Sequence, residues 1–455
     1  MASTYLTRTP SSTGSQTKFT FSFWWKNNCV HGNDKCFFSS GLNSSNYFMI
    51  RTTGNEQLEL LALDNGSATM RYKPTRYYRD NNSFYHIVIA IDTTQSTSGD
   101  RLKWYTNGVR ETAFDLNTTP NQNTNLLYVN DTTTHCIGRK NVTSDKYMEG
   151  TLSHYHFIDG TQYAASDFGE TDANGVWKIK TDVSVTYGTN GFFILKDGNS
   201  VTDQSGNSNN FTVAGGTLTN TEDSPSNVFA TFNPLAGYYN GSTFSNGNNT
   251  VVTGTTQYSY DRATLGASSG KYYWEIQYAG RSGGSIPYSL IGISSTQPKN
   301  TTDFLGKYSY DWAYYVTSSS KIMNASTETS YGTSYGDNDI IGVAMDLDNY
   351  KLYFSKNGTW QNSGDPTSGS TGTGAISIVN PSTASYGIDT PLGAYFPAVS
   401  FYDGGVSGTY KANFGNGYFG TTAVSSAGTN ASGNGIFEYD VPSGYTALST
   451  RGLNL

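Results

Sequence analysis

Paired carboxylates are the first chemistry to test in this chain, and two pairs come close. A retaining glycan hydrolase needs two carboxyl groups about 5 Å apart, which alternate positions on one strand deliver. Asp346 and Asp348 have that spacing, but they fall at a predicted hairpin turn, where Asp favours turn geometry. Glu56 and Glu59 are separated by an odd number of positions, so on one regular strand they face opposite sides. We assign no catalytic residue.

Metal ligands are the second chemistry, and two histidines raise it. His154 and His156 are separated by one residue, so a strand places both imidazoles on one face, as a zinc site requires. A third ligand at matching spacing is missing. Alternation with Tyr155 and Phe157 explains the pattern equally well as a polar outer face over an aromatic inner face. We assign no metal ligand here.

Calcium is a separate alternative, because it takes several carboxylate or carbonyl oxygens from converging loops. Asp64, Asn107 and Asp159 are the candidate ligands. The sequence alone does not bring these loops together. We therefore expect no cofactor and leave a structural calcium ion open.

An aromatic run, Tyr308–Tyr315, offers binding chemistry. Its members Tyr310, Asp311, Trp312 and Tyr314 combine ring faces for the C–H groups of a sugar with a carboxylate for its hydroxyls. These four residues are our candidate ligand-binding site. The alternative is that Tyr310, Trp312 and Tyr314 alternate along an ordinary strand and pack inward, since large aromatic residues usually fill cores.

The elements that must position these residues are strands, and the clearest pair spans residues 340–360. Apolar residues alternate from Ile341 to Leu347, a turn follows at Asp348-Asn349, and a second alternating stretch ends at Asn357-Gly358. A looser version runs from His86 to Gly108. Two such hairpins in different halves of the chain predict an all-β protein built from two antiparallel β-sandwiches.

Composition agrees with this fold class and excludes some functions. Charged residues make up only 14% of the 455 residues, and Gly, Ser, Thr and Asn abound, which favours short strands and turns over long helices. The net charge is −7 with no Lys/Arg run, so we expect no nucleic-acid partner. No signal peptide or membrane span is evident, so we expect synthesis in the cytoplasm without membrane insertion. Cys29, Cys36 and Cys136 are expected to be free thiols.

Breaker residues divide the chain. Asp223-Ser224-Pro225-Ser226 and Asn233-Pro234 interrupt the strand pattern, because Pro resists both helix and central strand. We predict a first sandwich at residues 1–222, a Pro/Ser/Asn-rich connection at 223–236 and a second sandwich at 237–455. Two long polar inserts, 300–339 and 364–391, interrupt the second sandwich.

Several stretches of the first half resemble one family. STYLTRTPSS, FSFWWK, IVIAIDTT and DRLKWYTNGV are similar to the laminin-G/concanavalin-A-like lectin domains of marine phage virion proteins. FIDGTQYAASDFGETDANGVWKIK, YGTNGFFI, DQSGNSNNFT and DSPSNVFATFNP resemble the join behind that domain in the same proteins. The resemblance implies a concanavalin-like jelly roll.

The second half resembles a SPRY domain. GKYYWEIQY, the hairpin of residues 340–360 and YFPAVSF are similar to the early, central and late strands of that family. The tail from Val441 to Leu455 resembles the endings of the same phage proteins. The resemblance implies a second two-sheet sandwich.

Together, the resemblances imply a non-enzymatic structural protein of a phage virion that acts by surface contact. Host glycan adhesion as a tail fibre, fibre tip or adaptor, and capsid decoration or a head fibre, are both compatible with them. We expect other virion proteins and host surface glycans as partners, a homo-oligomer, and a location in the virion. The alternative from another class is a virion-associated glycan hydrolase, a depolymerase on a concanavalin-like sandwich.

Overall fold

Alternating apolar and polar residues build this protein almost entirely from β-strands. The computed structural model describes residues 3–29, 32–196, 200–236, 241–284, 288–381, 392–401 and 404–454. Two compact units divide the chain: unit 1 comprises Met1–Asn220 and Ser224–Ser226, and unit 2 comprises Thr221–Asp223 and Asn227–Leu455. Over the described ranges, no helix has the length and apolar character needed to cross a membrane.

Unit 1 is a sandwich of two antiparallel sheets. Its strands are β1 Tyr5–Arg8, β2 Lys18–Lys26, β3 Cys36–Asn43, β4 Asn46–Thr52, β5 Leu58–Asp64, β6 Ser67–Pro74, β7 Phe84–Asp92, β8 Leu102–Thr106, β9 Val109–Arg110, β10 Phe114–Thr118, β11 His135–Ile137, β12 Thr151–Asp159, β13 Gly169–Thr171, β14 Trp177–Ile179, β15 Phe192–Ile194 and β16 Thr212–Gly215. One sheet has the order β10-β6-β5-β4-β3-β11-β1-β16, and the other has the order β15-β12-β2-β7-β8-β9. Strands β13 and β14 form a separate ribbon, and 3₁₀ turns lie at Ser98–Asp100 and Ala165–Asp167.

The core of unit 1 follows the period of two. On β2, Phe19, Phe21 and Phe23 are fully buried between the sheets. On β7, Ile87 and Ile91 are fully buried beside them, and β7 pairs antiparallel with β8. The looser hairpin predicted from His86 to Gly108 is confirmed.

Unit 2 repeats the architecture. Its strands are β17 Thr243–Ser245, β18 Thr250–Val252, β19 Asp261–Arg262, β20 Lys271–Arg281, β21 Ser289–Ser294, β22 Asp311–Val316, β23 Ser320–Asn324, β24 Thr327–Ser330, β25 Ile340–Asp346, β26 Lys351–Lys356, β27 Thr359–Trp360, β28 Ile376–Ser377, β29 Phe396–Phe401, β30 Gly408–Asn413, β31 Tyr418–Phe419, β32 Thr422–Ala423 and β33 Thr446–Ala447. One sheet has the order β17-β18-β30-β20-β25-β26-β27, with β28 paired to β26 and β33 parallel to β20; the other has the order β19-β29-β21-β22-β23-β24. Strands β31 and β32 form a ribbon. Short 3₁₀ segments occupy Gln361–Ser363, Pro366–Thr371 and Gly452–Asn454.

The central hairpin of unit 2 is β25–β26. Met345 pairs with Leu352, and both side chains are fully buried in the core. Asp346 organises the turn: its Oδ1 accepts from the backbone N–H groups of Asp348 (3.0 Å) and Asn349 (2.9 Å). Asp346 therefore serves turn geometry, as predicted. The two antiparallel sandwiches confirm the predicted fold class.

Residues 223–236, which the sequence predicts as a connection, do not form a separate linker in the structure. Residues 227–236 lie in unit 2, and Ala230 and Phe232 belong to its core. The breaker residues form turns, but the apolar residues between them are buried in the core of unit 2.

The first polar insert contains regular strands in the structure. Residues 300–339 contain β22, β23 and β24, which complete one sheet of unit 2. Cross-strand pairing within a larger sheet overrides the polar composition. In the second insert, β28 and a 3₁₀ segment are present, and residues 382–391 lie outside the described residues.

Gly292 tests the close packing of β21 against β22. A Cβ at this position would lie 1.8 Å from the carbonyl oxygen of Trp312, so Gly292→Ala must push the strands apart. We expect a loss of about 1–3 kcal/mol in the free energy of unfolding, measured by chemical denaturation. The matched control is Gly336→Ala, whose Cβ meets nothing within 4 Å; it should change stability by less than about 0.5 kcal/mol. Equal effects from both variants would contradict the packing argument.

Candidate functional site

The aromatic run lies on β22, and both faces of that strand are covered. Tyr314 is fully buried in the sandwich core, and Trp312 packs against the same core. On the other face, Ala313 belongs to a smaller buried cluster with Leu305, so part of the insert covers the outside of the strand. The packing alternative is therefore correct for Tyr314, which cannot contact an external ligand.

Asp311, the predicted acceptor for sugar hydroxyls, is also buried. Its side chain is 0% exposed, and burial raises its pKa to about 6. The hydroxyls of Tyr260, Ser294 and Thr296 are its polar neighbours. Of the predicted site residues, only Tyr310 and Trp312 retain partial exposure, so the structure does not bring the four together as an open site.

Glu56 and Glu59, the two glutamates considered as an acid pair, form separate ion pairs. Glu59 is 0% exposed and sits between two guanidinium groups: Oε2 lies 2.6 Å from Arg51 Nη2, and Oε1 lies 2.7 Å from Arg71 Nη2. Glu56 has other partners, with Oε1 3.2 Å from Lys35 Nζ. The two glutamates do not form a pair across an open cleft.

His154 and His156 on β12 interact with a third histidine, His86 on β7. The rings of His154 and His156 lie 5.8 and 3.9 Å from the ring of Phe193, and His86 interacts electrostatically with both imidazoles. Among the described residues, however, no group of three His, Cys, Asp or Glu side chains has a metal-binding arrangement. The imidazoles take part in aromatic stacking instead.

The proposed calcium ligands accept separate hydrogen bonds from different partners. Asp159 Oδ1 accepts from Asn130 Nδ2 at 2.7 Å, while Asn107 Oδ1 accepts from the backbone N–H of His86 at 2.7 Å. Asp64 Oδ1 accepts from the side chain of the adjacent Asn65. These contacts hold turns and strand ends in place.

A candidate binding pocket lies in unit 2. Its volume is about 370 Å³, within the range of small-molecule sites. We call it the tail pocket, because one wall comes from β20 and the β25–β26 turn and the other from the C-terminal segment. Its lining residues are Gly270, Lys271, Tyr272, Asp348, Ala431, Ser432, Gly444, Tyr445, Thr446 and Gly452.

Backbone pairing builds the tail pocket. Strand β33 runs parallel to β20, with Thr446 opposite Tyr272. Gly270 adopts φ +86°, and a Cβ there would approach the Tyr272 hydroxyl to 2.9 Å, so glycine keeps this wall open. The N–H of Gly270 donates to Asp348 Oδ1 at 2.8 Å, which fixes the hairpin turn against β20.

The chemistry of the tail pocket is mixed. Lys271 Nζ lies 3.0 Å from buried Asp346 Oδ2 and 5.9 Å from the ring centroid of Tyr445. Asp348 is exposed and contributes a carboxylate, and Ser432 contributes a hydroxyl. Burial and Asp348 raise the pKa of Tyr272, so its hydroxyl stays protonated and can donate. Ring edges beside hydroxyl, carboxylate and ammonium groups suit a small polyhydroxylated ligand.

Comparison with known proteins defines the class of each unit. The chain carries two β-sandwich domains of kinds that bind carbohydrate or protein in general. Residues 2–166 match the concanavalin A-like lectin/glucanases superfamily, and residues 271–416 match the SPRY domain. The lectin-like domain and the SPRY domain predicted from the sequence are therefore confirmed. A search of curated proteins finds no match.

Solved structures similar to this chain include further SPRY domains. The SPRY domain of human HERC1 is 18% identical, with 40% of this chain and 96% of that chain covered and a TM-score of 0.29. Stonustoxin is 19% identical over 40% of this chain and 27% of that chain, with a TM-score of 0.28. A human SPRY domain is 17% identical over 36% and 90%, with a TM-score of 0.25.

Sequence reasoning missed the tail pocket because its walls are distant in the chain. The sequence indicates Asp348 only as a turn residue or half of an acid pair, and Tyr445 lies about a hundred positions further on. The turn signal at Asp348-Asn349 marked one wall. No local pattern indicates that the tail returns beside β20.

His86 provides a pH test of unit 1. Its ring stacks between Trp24 and Trp177, with centroids 4.6 and 5.9 Å away, and Nδ1 accepts from Trp177 Nε1 at 3.0 Å. Burial lowers its pKa to about 3. The unfolded chain, with a histidine pKa of about 6.5, binds more protons between these values, so stability falls as the pH falls through that window.

We therefore compare the wild type with His86→Gln. From about pH 6 to pH 4, the wild type should lose up to about 1.4 kcal/mol of unfolding free energy per pH unit more than the variant. The measurement is chemical denaturation at each pH, and the difference cancels the titrating groups that do not interact with His86. Exposed Ser67→Ala should keep the wild-type pH dependence. Parallel curves for wild type and His86→Gln would show that His86 does not titrate abnormally.

Proposed function

We propose that this protein is a non-enzymatic binding protein that holds carbohydrate in the tail pocket and serves as a structural component of a phage virion. The observation that carries the binding role is the tail pocket itself. It is an opening of about 370 Å³ beside two tyrosines, a carboxylate and an ammonium group. The two domains are of binding types, which supports the same conclusion.

Carbohydrate fits the tail pocket better than a purely apolar ligand. Asp348 and Ser432 are oxygen groups at the rim that can bind several hydroxyls of one sugar ring. The Lys271–Asp346 pair fixes the ammonium group in the wall, so the wall is formed before any ligand arrives. The volume suits about one sugar residue, such as the end of a surface glycan.

The non-enzymatic part of the proposal is supported by how the carboxylates are used. Glu59 is held by two arginines, and Asp346 is held by a lysine and turn N–H groups. A glycosidase acid or nucleophile must instead face the substrate. These carboxylates therefore do not favour the depolymerase alternative.

The virion part of the proposal is supported by the sequence segments that resemble marine phage proteins. In this setting, the protein acts as a tail fibre tip, an adaptor, a head fibre or a capsid decoration. Its partners are other virion proteins and host surface glycans, and it assembles as a homo-oligomer, since virion components follow particle symmetry. Image reconstruction of the particle tests this part. Absence of the protein from purified virions would contradict the virion role.

Variants of the tail pocket test the binding part. Ala431→Trp places a large ring at the exposed rim, and Asp348→Asn removes the charge while keeping an acceptor for Gly270. Binding to the best ligand of a glycan array should fall about tenfold or more in each, which is at least about 1.4 kcal/mol. The matched control is Ala423→Trp on exposed β32, which should bind like the wild type.

Three outcomes would overturn parts of this function. Release of reducing ends from a surface polysaccharide by the purified wild type would contradict the non-enzymatic role. Glycan binding that is equal in the wild type, Ala431→Trp and Asp348→Asn would place the carbohydrate site elsewhere in the chain. Failure to bind any glycan would remove the carbohydrate role altogether.

A further inference from the structure

A second chemical feature lies in unit 1, where an amine, a carboxylate and a primary amide are buried together. The side chains of Lys35 and Glu56 are 0% and 3% exposed, and Asn27 is 0% exposed. Cys29, 5% exposed, lies beside them. We call these four residues the Asn27 cluster. None of the proposed binding surfaces uses it.

One carboxylate connects the amine and the amide. Lys35 Nζ lies 3.2 Å from Glu56 Oε1 and 3.4 Å from Oε2. Asn27 Nδ2 donates to the same Oε2 at 3.0 Å. Glu56 can therefore exchange protons with both nitrogen atoms without moving.

The orientation of the Asn27 amide is determined by its neighbours. Nδ2 also donates to the carbonyl oxygen of Tyr78 at 2.7 Å, and Oδ1 accepts from Cys29 Sγ at 2.9 Å. Burial raises the pKa of the Cys29 thiol to about 12, so the thiol stays protonated and remains a donor to Oδ1. The amide nitrogen thus faces the carboxylate, and a donor polarises the carbonyl.

The backbone holds the cluster in place. Glu56 adopts φ +62°, a conformation that non-glycine residues rarely take. Its carbonyl accepts from the N–H of Tyr78 at 2.8 Å, and the N–H of Lys35 donates to Thr52 Oγ1 at 2.9 Å. Strained backbone of this kind persists where surrounding contacts hold a functional group in position.

A purely structural ion pair explains these facts less well. Burying a lysine and a glutamate together costs several kcal/mol of desolvation, and apolar residues of similar size are often as stable. An ion pair alone also needs no primary amide on the same carboxylate oxygen. A nucleophile, a proton carrier and an acyl group are the three groups that an acyl transfer uses.

We propose that Lys35 and Asn27 join in an intramolecular isopeptide bond, with Glu56 as the proton carrier. Glu56 takes a proton from the Lys35 ammonium group, and the free amine attacks Cγ of Asn27. The tetrahedral oxygen is stabilised by the Cys29 S–H. The C–Nδ2 bond then breaks as protons pass through Glu56 to the leaving nitrogen.

The reaction balances without a cofactor or an oxidant. One ammonium group and one primary amide give one secondary amide and one ammonium ion, and Glu56 returns to its carboxylate form. The new bond closes the short loop between residues 27 and 35 beside the end of β2. Because a short loop has little entropy to lose, the bond secures this corner locally and adds modestly to global stability.

Mass spectrometry of the denatured, reduced full chain tests the proposal. The expected mass is lower than the sequence mass by one molecule of ammonia. A succinimide at an Asn-Gly step loses ammonia too, so the site must be mapped. Cleavage on the amino side of Asp34 cuts the loop between the two residues, and the expected product is two peptides that stay joined through Lys35 and Asn27.

Variants of the cluster residues identify the role of each residue in the reaction. Lys35→Arg, Asn27→Ala and Glu56→Gln should each restore the full mass, while Lys18→Arg, at an exposed lysine, should keep the ammonia loss. Because the wild-type protein provides the main readout, a variant that fails to fold does not weaken the test. Separate peptides after cleavage before Asp34 would overturn the proposal. A bridge between Lys35 and Cys29 that carries an added oxygen atom would overturn it as well.

Discussion

The burial of one apolar face of every long strand between two sheets is the constraint on which this structure depends. In unit 1, β2 and β7 direct Phe and Ile side chains at alternate positions into one core. In unit 2, Trp274 and Ile276 on β20 and Val343 and Met345 on β25 do the same. Each such side chain contributes on the order of 1.5–3 kcal/mol by leaving water. A one-residue slip would turn all of them outward, so this burial sets the register of both sandwiches.

Polar contacts between distant parts of the chain also hold segments against the outer faces of the sheets. Glu275 is the clearest example: its carboxylate accepts from Tyr273 OH at 3.0 Å and from the N–H groups of Glu438 and Tyr439 at 2.9 and 2.8 Å. These bonds hold the C-terminal segment against β20, although burial raises the pKa of Glu275 to about 7. The tail pocket exists because this segment is held there. The proposed binding in unit 2 thus depends on a buried carboxylate that does not line the tail pocket.

Buried carboxylates have two different uses in unit 1. Glu59 with its arginines fills an outer face, where full pairing leaves little reactivity. Glu56 shares its carboxylate between an amine and an amide, so it can carry protons between the two nitrogen atoms. The first residue stabilises a sheet, and the second is placed to assist a covalent bond.

The sequence by itself determined the fold class, the two sandwiches and the central hairpin, because period-two alternation and turn residues are local signals. It also identified Asp346 as a turn residue. Only the tertiary structure decided that β22 is covered on both faces, so that Tyr314 and Asp311 are buried. It alone brought Asp348 beside Tyr445, and Lys35 beside Asn27 and Glu56. The physical reason is that burial and side-chain contact depend on which distant strands and loops pack together, and a local pattern carries no record of that pairing.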